Sequence, residues 1–393
     1  MGKKKILFNM YNLEIGGAEK SLLSILNTID YSKYDVDLFL YEHKGELINE
    51  LPKEVNLLAE IDQYKTLCES TRLTFINGYF KLGVVRTISK YIAILKKIPR
   101  AYDQYMNLFA NNILPKLQGQ YDVAISNIWP HNFVTDKVNS KIKIGWIHTD
   151  YSNMKIDYNM DFEVLNKLDY IVSVSDNCKK VFDNIQPKLK DKSIFLENIV
   201  SSSFIRELAD RDIEEKDIFK SKEIKILTVA RFHHEKGVDR VVEVCKKLKD
   251  AGKDFKWLVI GFGAQEKLLK SRAKELGVEK NFHILGKKVN PYPYFNKCDI
   301  YVQPSRYEGK SVAITEAKIF NMPIIITDYN SARDQIDNKK TGLIVENSID
   351  GIFNGVKTIM EDQELRNDIV NTLKKSKWSN ENEIEKFYEI IEK

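Results

Sequence analysis

The chain has 393 residues, 43% of them apolar and 30% charged, which suits two or three domains with buried cores. Its net charge of +5 is too small by itself to mark a nucleic-acid-binding protein. The four cysteines, Cys68, Cys178, Cys245 and Cys298, form no Cys-x-x-Cys pair. That excludes a disulfide framework or a zinc site and predicts reduced thiols in a cytoplasmic protein.

Residues 1–8 place lysines before an apolar run, as a signal peptide does, but Asn9, Asn12 and Glu14 break the run. A first β-strand over residues 4–9 is expected instead. Ile6 stands where N-myristoylation takes Ser or Thr, and no apolar run reaches the ~18 residues of a membrane span. A helix is predicted over 18–29, then short β-branched strands over 36–41, 123–126, 143–148 and 170–175. Such runs are typical of parallel strands buried on both faces, and their alternation with helices predicts a doubly wound α/β domain.

Residues 64–118 differ, with helical rather than strand periodicity. Lys65, Arg72, Lys81, Arg86, Lys90, Lys96, Lys97, Arg100 and Lys116 outnumber Glu69 and Asp103, and Phe75, Tyr79, Phe80, Tyr91, Tyr102, Tyr105 and Phe109 interleave with them. This pattern suits a basic amphipathic face for anionic lipid; it also suits a helical insertion with a solvated basic face. Nothing elsewhere supports nucleic acid as the partner.

Residues 201–223 are polar and charged and read as a linker. The α/β pattern then restarts, with strands over 224–230, 257–260, 282–285, 300–303, 323–327 and 342–345. Helices fall over 238–248, 264–276 and about 312–320. The tail, 380–393, reads as a helix with Ile384, Phe387, Tyr388 and Ile391 on one face. The expected domains are 1–200 with its insertion at 64–118, then 201–375, with 376–393 packing back toward the first.

Four groups of residues suit chemistry. After the strand at 300–303, Pro304-Ser305-Arg306-Tyr307-Glu308-Gly309-Lys310-Ser311 leads into a helix carrying Glu316-Ala317. Backbone N–H groups at a helix start attract an anion, and Glu308 and Glu316 can grip two ends of one ligand. Gly309-Lys310-Ser311 is no phosphate-binding P-loop, because Pro304 stands where that motif needs glycine. Arg231 and Lys236-Gly237, between a strand and a helix, suit a diphosphate. Gly16-Gly17-Ala18-Glu19 and Gly261-Phe262-Gly263 allow close backbone approach, yet each is also an ordinary turn. His148, at a strand's carboxyl end, suits hydrogen bonding or proton transfer at a ligand; a polar cap there is the alternative. No His/carboxylate cluster with metal-ligand spacing stands out, and no metal is expected.

Together these residues resemble glycosyltransferase family 4, a retaining family with the GT-B fold, and within it the bacterial capsule and surface-polysaccharide enzymes. Pro304-Ser305, Glu308-Gly309 and Glu316-Ala317 match its paired-glutamate motif, Arg231 and Lys236-Gly237 its diphosphate pair, and Gly16-Gly17-Ala18-Glu19 its glycine loop. Thr341-Gly342-Leu343 matches a turn near its end, and His148 the histidine near the reacting sugar. The resemblance implies two Rossmann-like α/β domains facing across a cleft and a nucleotide-sugar donor, UDP-sugar favoured. It implies a lipid-linked or glycan acceptor at the inner face of the cell membrane, front-face retention, and neither metal nor cofactor. By this resemblance Arg231 and Lys236 hold the diphosphate and Glu316 the ribose. Glu308 and His148 contact the sugar, Gly309, Lys310 and Ser311 offer backbone N–H groups, and Gly16, Gly17 and Gly261 border the donor. Many members carry a large apolar residue and Gly where Lys310 and Ser311 stand, which leaves the donor sugar open. The alternatives are a nucleotide-sugar epimerase of similar fold, a glycoside hydrolase using Glu308 and Glu316, and a donor-binding subunit without catalysis.

Overall fold

The structure, a computed structural model, describes residues 2–98, 100–308 and 311–393. The chain forms two units, one of residues 1–200 with 381–393 and the other of residues 201–380.

The first unit is built on a seven-stranded parallel sheet. Its strands are β1 (Lys4–Met10), β2 (Tyr34–Leu40), β3 (Asn56–Leu57), β4 (Tyr121–Ser126), β5 (Ser140–Ile147), β6 (Tyr170–Ser173) and β7 (Ser193–Phe195), in the order β3-β2-β1-β4-β5-β6-β7. Ile6 pairs with Val36 on one side and Val123 on the other. Ile6, Leu7 and Phe8 are fully buried, as a central strand covered on both faces requires. The tail helix Glu383–Ile391 belongs to this unit. It seats Phe387 against Phe8 and Trp146, stacks Tyr388 on Tyr34, and Tyr34 donates to Glu392 at 2.6 Å.

The segment at 64–118 forms helices, chiefly Thr71–Ile76, Phe80–Lys96 and Ala101–Ala110. One cation assigned to its basic face is not on the surface. Arg86 is buried, donating to the Thr66 carbonyl at 2.6 Å and to the Glu69 carbonyl, with its guanidinium over the Tyr102 ring. It ties a helix to the turn before it.

The second unit carries six parallel strands: β8 (Ile224–Val229), β9 (Phe255–Ile260), β10 (Phe282–Gly286), β11 (Ile300–Gln303), β12 (Ile324–Thr327) and β13 (Leu343–Val345), in the order β10-β9-β8-β11-β12-β13. The expected linker at 201–223 is not one. Ser201 caps a helix, Ser202–Ala209, which buries Ile205, Leu208 and Ala209 in this unit. Arg206 donates to the Ile319 carbonyl at 2.5 Å and Asn290 to the Leu208 carbonyl at 2.6 Å. Only one face of this short helix is apolar, so its composition reads as polar. Among the described residues no helix is long and apolar enough to cross a membrane.

Strand order reverses direction between β1 and β4 in the first unit and between β8 and β11 in the second. At such switch points the loops from the carboxyl ends part and leave a crevice, where open α/β sheets bind ligands.

Candidate functional site

In the second unit the loops after β8, β9 and β11 converge at the switch point. After β8 the chain passes Arg231, makes a tight turn at His234–Lys236, and enters the helix Val238–Asp250 through Gly237. Gly237 has φ +66°, and a Cβ there would lie 2.0 Å from the Pro304 carbonyl oxygen. Gly261, with φ +151°, backs so closely on Ala230 that a Cβ would lie 1.9 Å from its carbonyl oxygen. Glycine therefore serves here for loop-on-loop packing.

Arg306 completes the lock. Its guanidinium grips Asp239 at 2.8 and 2.6 Å and donates to the His234 carbonyl at 2.5 Å, while its N–H donates to the Glu235 carbonyl at 2.8 Å. Partial burial and bidentate geometry favour this pair over an ordinary surface ion pair.

On that base Lys236 Nζ meets both oxygens of Glu308, at 2.8 and 2.7 Å. Glu308 Oε1 also accepts from Ser305 Oγ at 2.9 Å and Gln303 Nε2 at 3.2 Å. The Glu308 side chain is 7% exposed and that of Lys236 20%. Arg231 is exposed and pairs with no carboxylate among the described residues. Among the described residues the site thus offers one free cation, Arg231, and one held by a nearly buried acid.

Glu316 lies in the helix Val312–Ile319, buried, with the Tyr292 hydroxyl donating to its Oε1 at 3.0 Å. Burial, then the Glu316 charge, push the Tyr292 phenol well above its usual range, so it stays a donor. Ser311 departs from expectation. Its backbone N–H does not stand open to a ligand but donates to Gln335 Oε1 at 2.8 Å, and its hydroxyl faces Gln303 at 3.4 Å. Gly309 and Lys310 lie outside the described residues.

In the first unit, Gly16 and Gly17 open the helix Gly17–Leu26 after β1. A Cβ on Gly16 would lie 2.1 Å from Glu19 Oε2. The Glu19 carboxylate folds back onto its own N–H, and burial raises its pKa. The group that fills this helix start is therefore the protein's own side chain. This contact was not foreseen, although Glu19 at the helix's third position is a capping signal.

His148 follows β5 with its ring stacked on Trp146 at 6.3 Å, and its Nε2 is buried without a protein partner among the described residues. Burial pushes its pKa down to about 4, against a smaller opposing effect of a hydrogen bond with the Asn127 backbone. The imidazole is neutral at pH 7. A second histidine, His131, was missed. It is fully enclosed, with Nδ1 2.8 Å from Ser126 Oγ, and burial takes its pKa to about 3.

The sign of this linkage is definite. Unfolded histidine takes up a proton near pH 6.5, whereas folded His131 stays neutral to about pH 3. Stability is therefore full above pH 6.5 and falls as pH drops toward the folded value, by about 1.4 kcal/mol per pH unit for one such group. Calorimetric unfolding at pH 7 and pH 5 is expected to show this loss, and His131→Asn to reduce it. An identical pH dependence in the variant would contradict the assignment.

The reading that the chain holds no Asp-x-Asp triplet is corrected: Asp35-Val36-Asp37 and Asp210-Arg211-Asp212 are two, and neither lies on the loops of the candidate site. Asp37 in β2 accepts from Tyr121 and Asn56, and Asp212 pairs with Lys216.

Solved structures share this fold. HepE of Anabaena, solved in complex with UDP, is 14% identical and superposes with a TM-score of 0.64 over 99% of both chains. The fold is GT-B, with two Rossmann-like parallel-sheet units. In sequence, residues 210–376 match the model of the glycosyl transferases group 1. A relative in Campylobacter jejuni, N-acetylgalactosamine-N,N'-diacetylbacillosaminyl-diphospho-undecaprenol 4-alpha-N-acetylgalactosaminyltransferase, is 32% identical over 185 residues, 47% of each chain. The capsular polysaccharide biosynthesis glycosyltransferase CapM of Staphylococcus aureus is 27% identical over 143 residues, 36% of this chain and 38% of CapM. The aligned stretches span about half or less of these relatives.

Proposed function

We propose that the protein is a retaining glycosyltransferase of surface-polysaccharide assembly. It moves a sugar from a nucleotide diphosphate sugar, UDP-sugar favoured, to a lipid-linked glycan acceptor at the inner face of the membrane, with no metal. The observation that carries this reading is the Lys236–Glu308 pair together with Arg231, exposed and unpaired among the described residues, on loops at the β8–β11 switch point. The similarity to HepE, solved with UDP, supports the donor, and that to an enzyme named for a diphospho-undecaprenol substrate supports the acceptor.

In this mechanism the acceptor hydroxyl attacks the anomeric carbon on the face the diphosphate is leaving. The new C–O bond forms as the C–O bond to phosphate breaks, and the electron pair goes to the diphosphate. A donor phosphate oxygen takes the acceptor's proton. Arg231 and Lys236 stabilise the charge that develops on the leaving group. Lys236 has three donors, so it can hold Glu308 and a phosphate at once. Glu308, aimed by Ser305 and Gln303, accepts from a sugar hydroxyl. Glu316 holds the ribose, and neutral His148 serves the sugar as a hydrogen-bond partner, not as a cation.

Tyr292 is a positioning residue for Glu316. A hydrogen bond to a charged group contributes about 1.5–3 kcal/mol. Tyr292→Phe is thus expected to weaken UDP binding by about tenfold in calorimetric titration while Glu316→Ala abolishes it. Unchanged UDP affinity in both variants would remove Glu316 from the donor site.

A further inference from the structure

The helices Thr71–Ile76 and Phe80–Lys96 leave an apolar face uncovered. Of the fourteen large apolar side chains exposed among the described residues, nine lie between Leu73 and Leu108. On the longer helix Phe80, Val84, Ile88, Tyr91 and Leu95 recur at helical spacing along one side, and Leu95 is 80% exposed. The opposite side buries Leu82, Gly83, Arg86 and Ser89. The stripe therefore does not belong to the core, and it runs most of the ~25 Å of a 17-residue helix.

Charge defines what this face meets. The Phe80–Lys96 helix contains no acidic residue. Lys81, Lys90, Lys96 and Lys97, with Arg72 on the preceding helix, are exposed, and none pairs with a carboxylate among the described residues. Elsewhere exposed lysines are commonly paired, for example Lys141 with Asp122 and Lys167 with Asp136. A second copy fits poorly, because a two-fold contact would bring these cations onto one another. A surface that is apolar within and anionic at its boundary fits both features.

The next helix, Ala101–Ala110, connects to the rim of the sheet that carries His148. Arg100 N–H donates to the Lys155 carbonyl, Gln104 exchanges hydrogen bonds of 2.8 Å with the Asp157 backbone, and the Arg100 guanidinium lies over Trp129. Trp129 follows β4, and Lys155 and Asp157 follow β5, so this helix, on which Phe80–Lys96 packs, is braced on loops at the carboxyl ends of those strands.

We infer that the Phe80–Lys96 helix lies in the interface of an anionic lipid bilayer. Phe80, Val84, Ile88, Tyr91 and Leu95 are inserted, and Lys81, Lys90 and Lys97 sit at the headgroups. Buried Arg86 holds the helix to the protein from its other side. This deepens the membrane side of the proposed function and rests on it: the contact is hydrophobic as well as electrostatic, and it sets the carboxyl-end rim of the first unit near the lipid.

Flotation of the full-length protein with vesicles tests it, using phosphatidylcholine alone and phosphatidylcholine mixed with phosphatidylglycerol. The wild type is expected to float with the mixed vesicles and far less with the neutral ones. Tyr91→Ser/Leu95→Ser is expected to weaken binding by about tenfold or more, through lost insertion. Lys81→Gln/Lys90→Gln/Lys97→Gln is expected to lose the preference for phosphatidylglycerol. Stabilisation of each variant by UDP in vesicle-free solution reports on the donor site separately, and is expected to match the wild type. Wild type that fails to float, or a serine variant that floats as well as wild type, overturns the inference even if UDP still stabilises the protein. So does a wild-type dimer in sedimentation velocity that the serine variant dissolves, since a second copy would then cover the face.

Discussion

Lys236→Ala is expected to lower sugar transfer at saturating donor by about 10²–10³-fold, the loss typical of removing one preorganised stabiliser of transition-state charge. Lys236 is fixed before any donor arrives, by bidentate contact with Glu308 and by a loop locked through Gly237 and Arg306. A cation already in place needs no reorganisation when negative charge appears on the leaving diphosphate. The substitution also leaves the Glu308 carboxylate, nearly buried, with only Ser305 and Gln303 to stabilise it. Some loss of stability accompanies the loss of rate, so the thermal midpoint must be measured alongside. Glu308→Gln separates the two effects, because it keeps the hydrogen bonds while removing the acid that holds Lys236. Lys236→Arg is not expected to restore activity, since the larger guanidinium can pair with both Glu308 oxygens but does not place its charge where the compact ammonium stands. Nucleoside diphosphate release in Lys236→Ala within about threefold of wild type would contradict the role given to this cation.

Gly237→Ala is expected to destabilise the second unit and abolish UDP binding together. The left-handed backbone alone costs an alanine roughly 1–2 kcal/mol. The added Cβ would also sit 2.0 Å from the Pro304 carbonyl oxygen, so one of the two loops has to move. The combined loss is expected to exceed about 3 kcal/mol, in the range of strained-backbone and overpacking mutations. Gly252→Ala is the control. Gly252 has φ +67°, but nothing lies within 4 Å of its added Cβ, so it carries the backbone penalty without the collision. The difference between these variants in urea unfolding measures the loop lock. Equal losses with UDP binding retained in both would mean that the contact with Pro304 does not shape the site.

Much of the framework is visible in the chain itself. Short β-branched runs such as Ile324-Ile325-Ile326 suit strands buried on both faces, and their alternation with helices marks the two parallel sheets. The edge strands β3 and β7, two and three residues long, carry too little pattern to show. Ser202–Ala209 was hidden for a related reason, because a helix burying one narrow face has a mostly polar composition. At the candidate site, Glu308 and Glu316 are legible from their spacing within one motif. Their partners are not. Tyr292 lies 24 residues from Glu316 and Lys236 lies 72 from Glu308, and only the sheet order brings them together. Arg306 stood inside the motif, but its pairing with Asp239 across 67 residues carries no linear signal. In the basic segment composition misled in one detail: it counts Arg86 as surface charge, whereas the side chain is buried against the Thr66 and Glu69 carbonyls and the Tyr102 ring.

The central claim is that the chain transfers a sugar from a nucleotide diphosphate sugar with the second unit as its donor site. Incubating the full-length protein with a panel of nucleotide sugars and a lipid-linked saccharide, and following acceptor mass and nucleoside diphosphate together, tests this most directly. The expected result is one donor, a UDP-sugar favoured, that adds a single sugar for each diphosphate released, with its anomeric configuration kept and with the activity lost in Lys236→Ala and Glu316→Ala. An isomerised nucleotide sugar with no diphosphate released, or transfer at the wild-type rate in both variants, would contradict it.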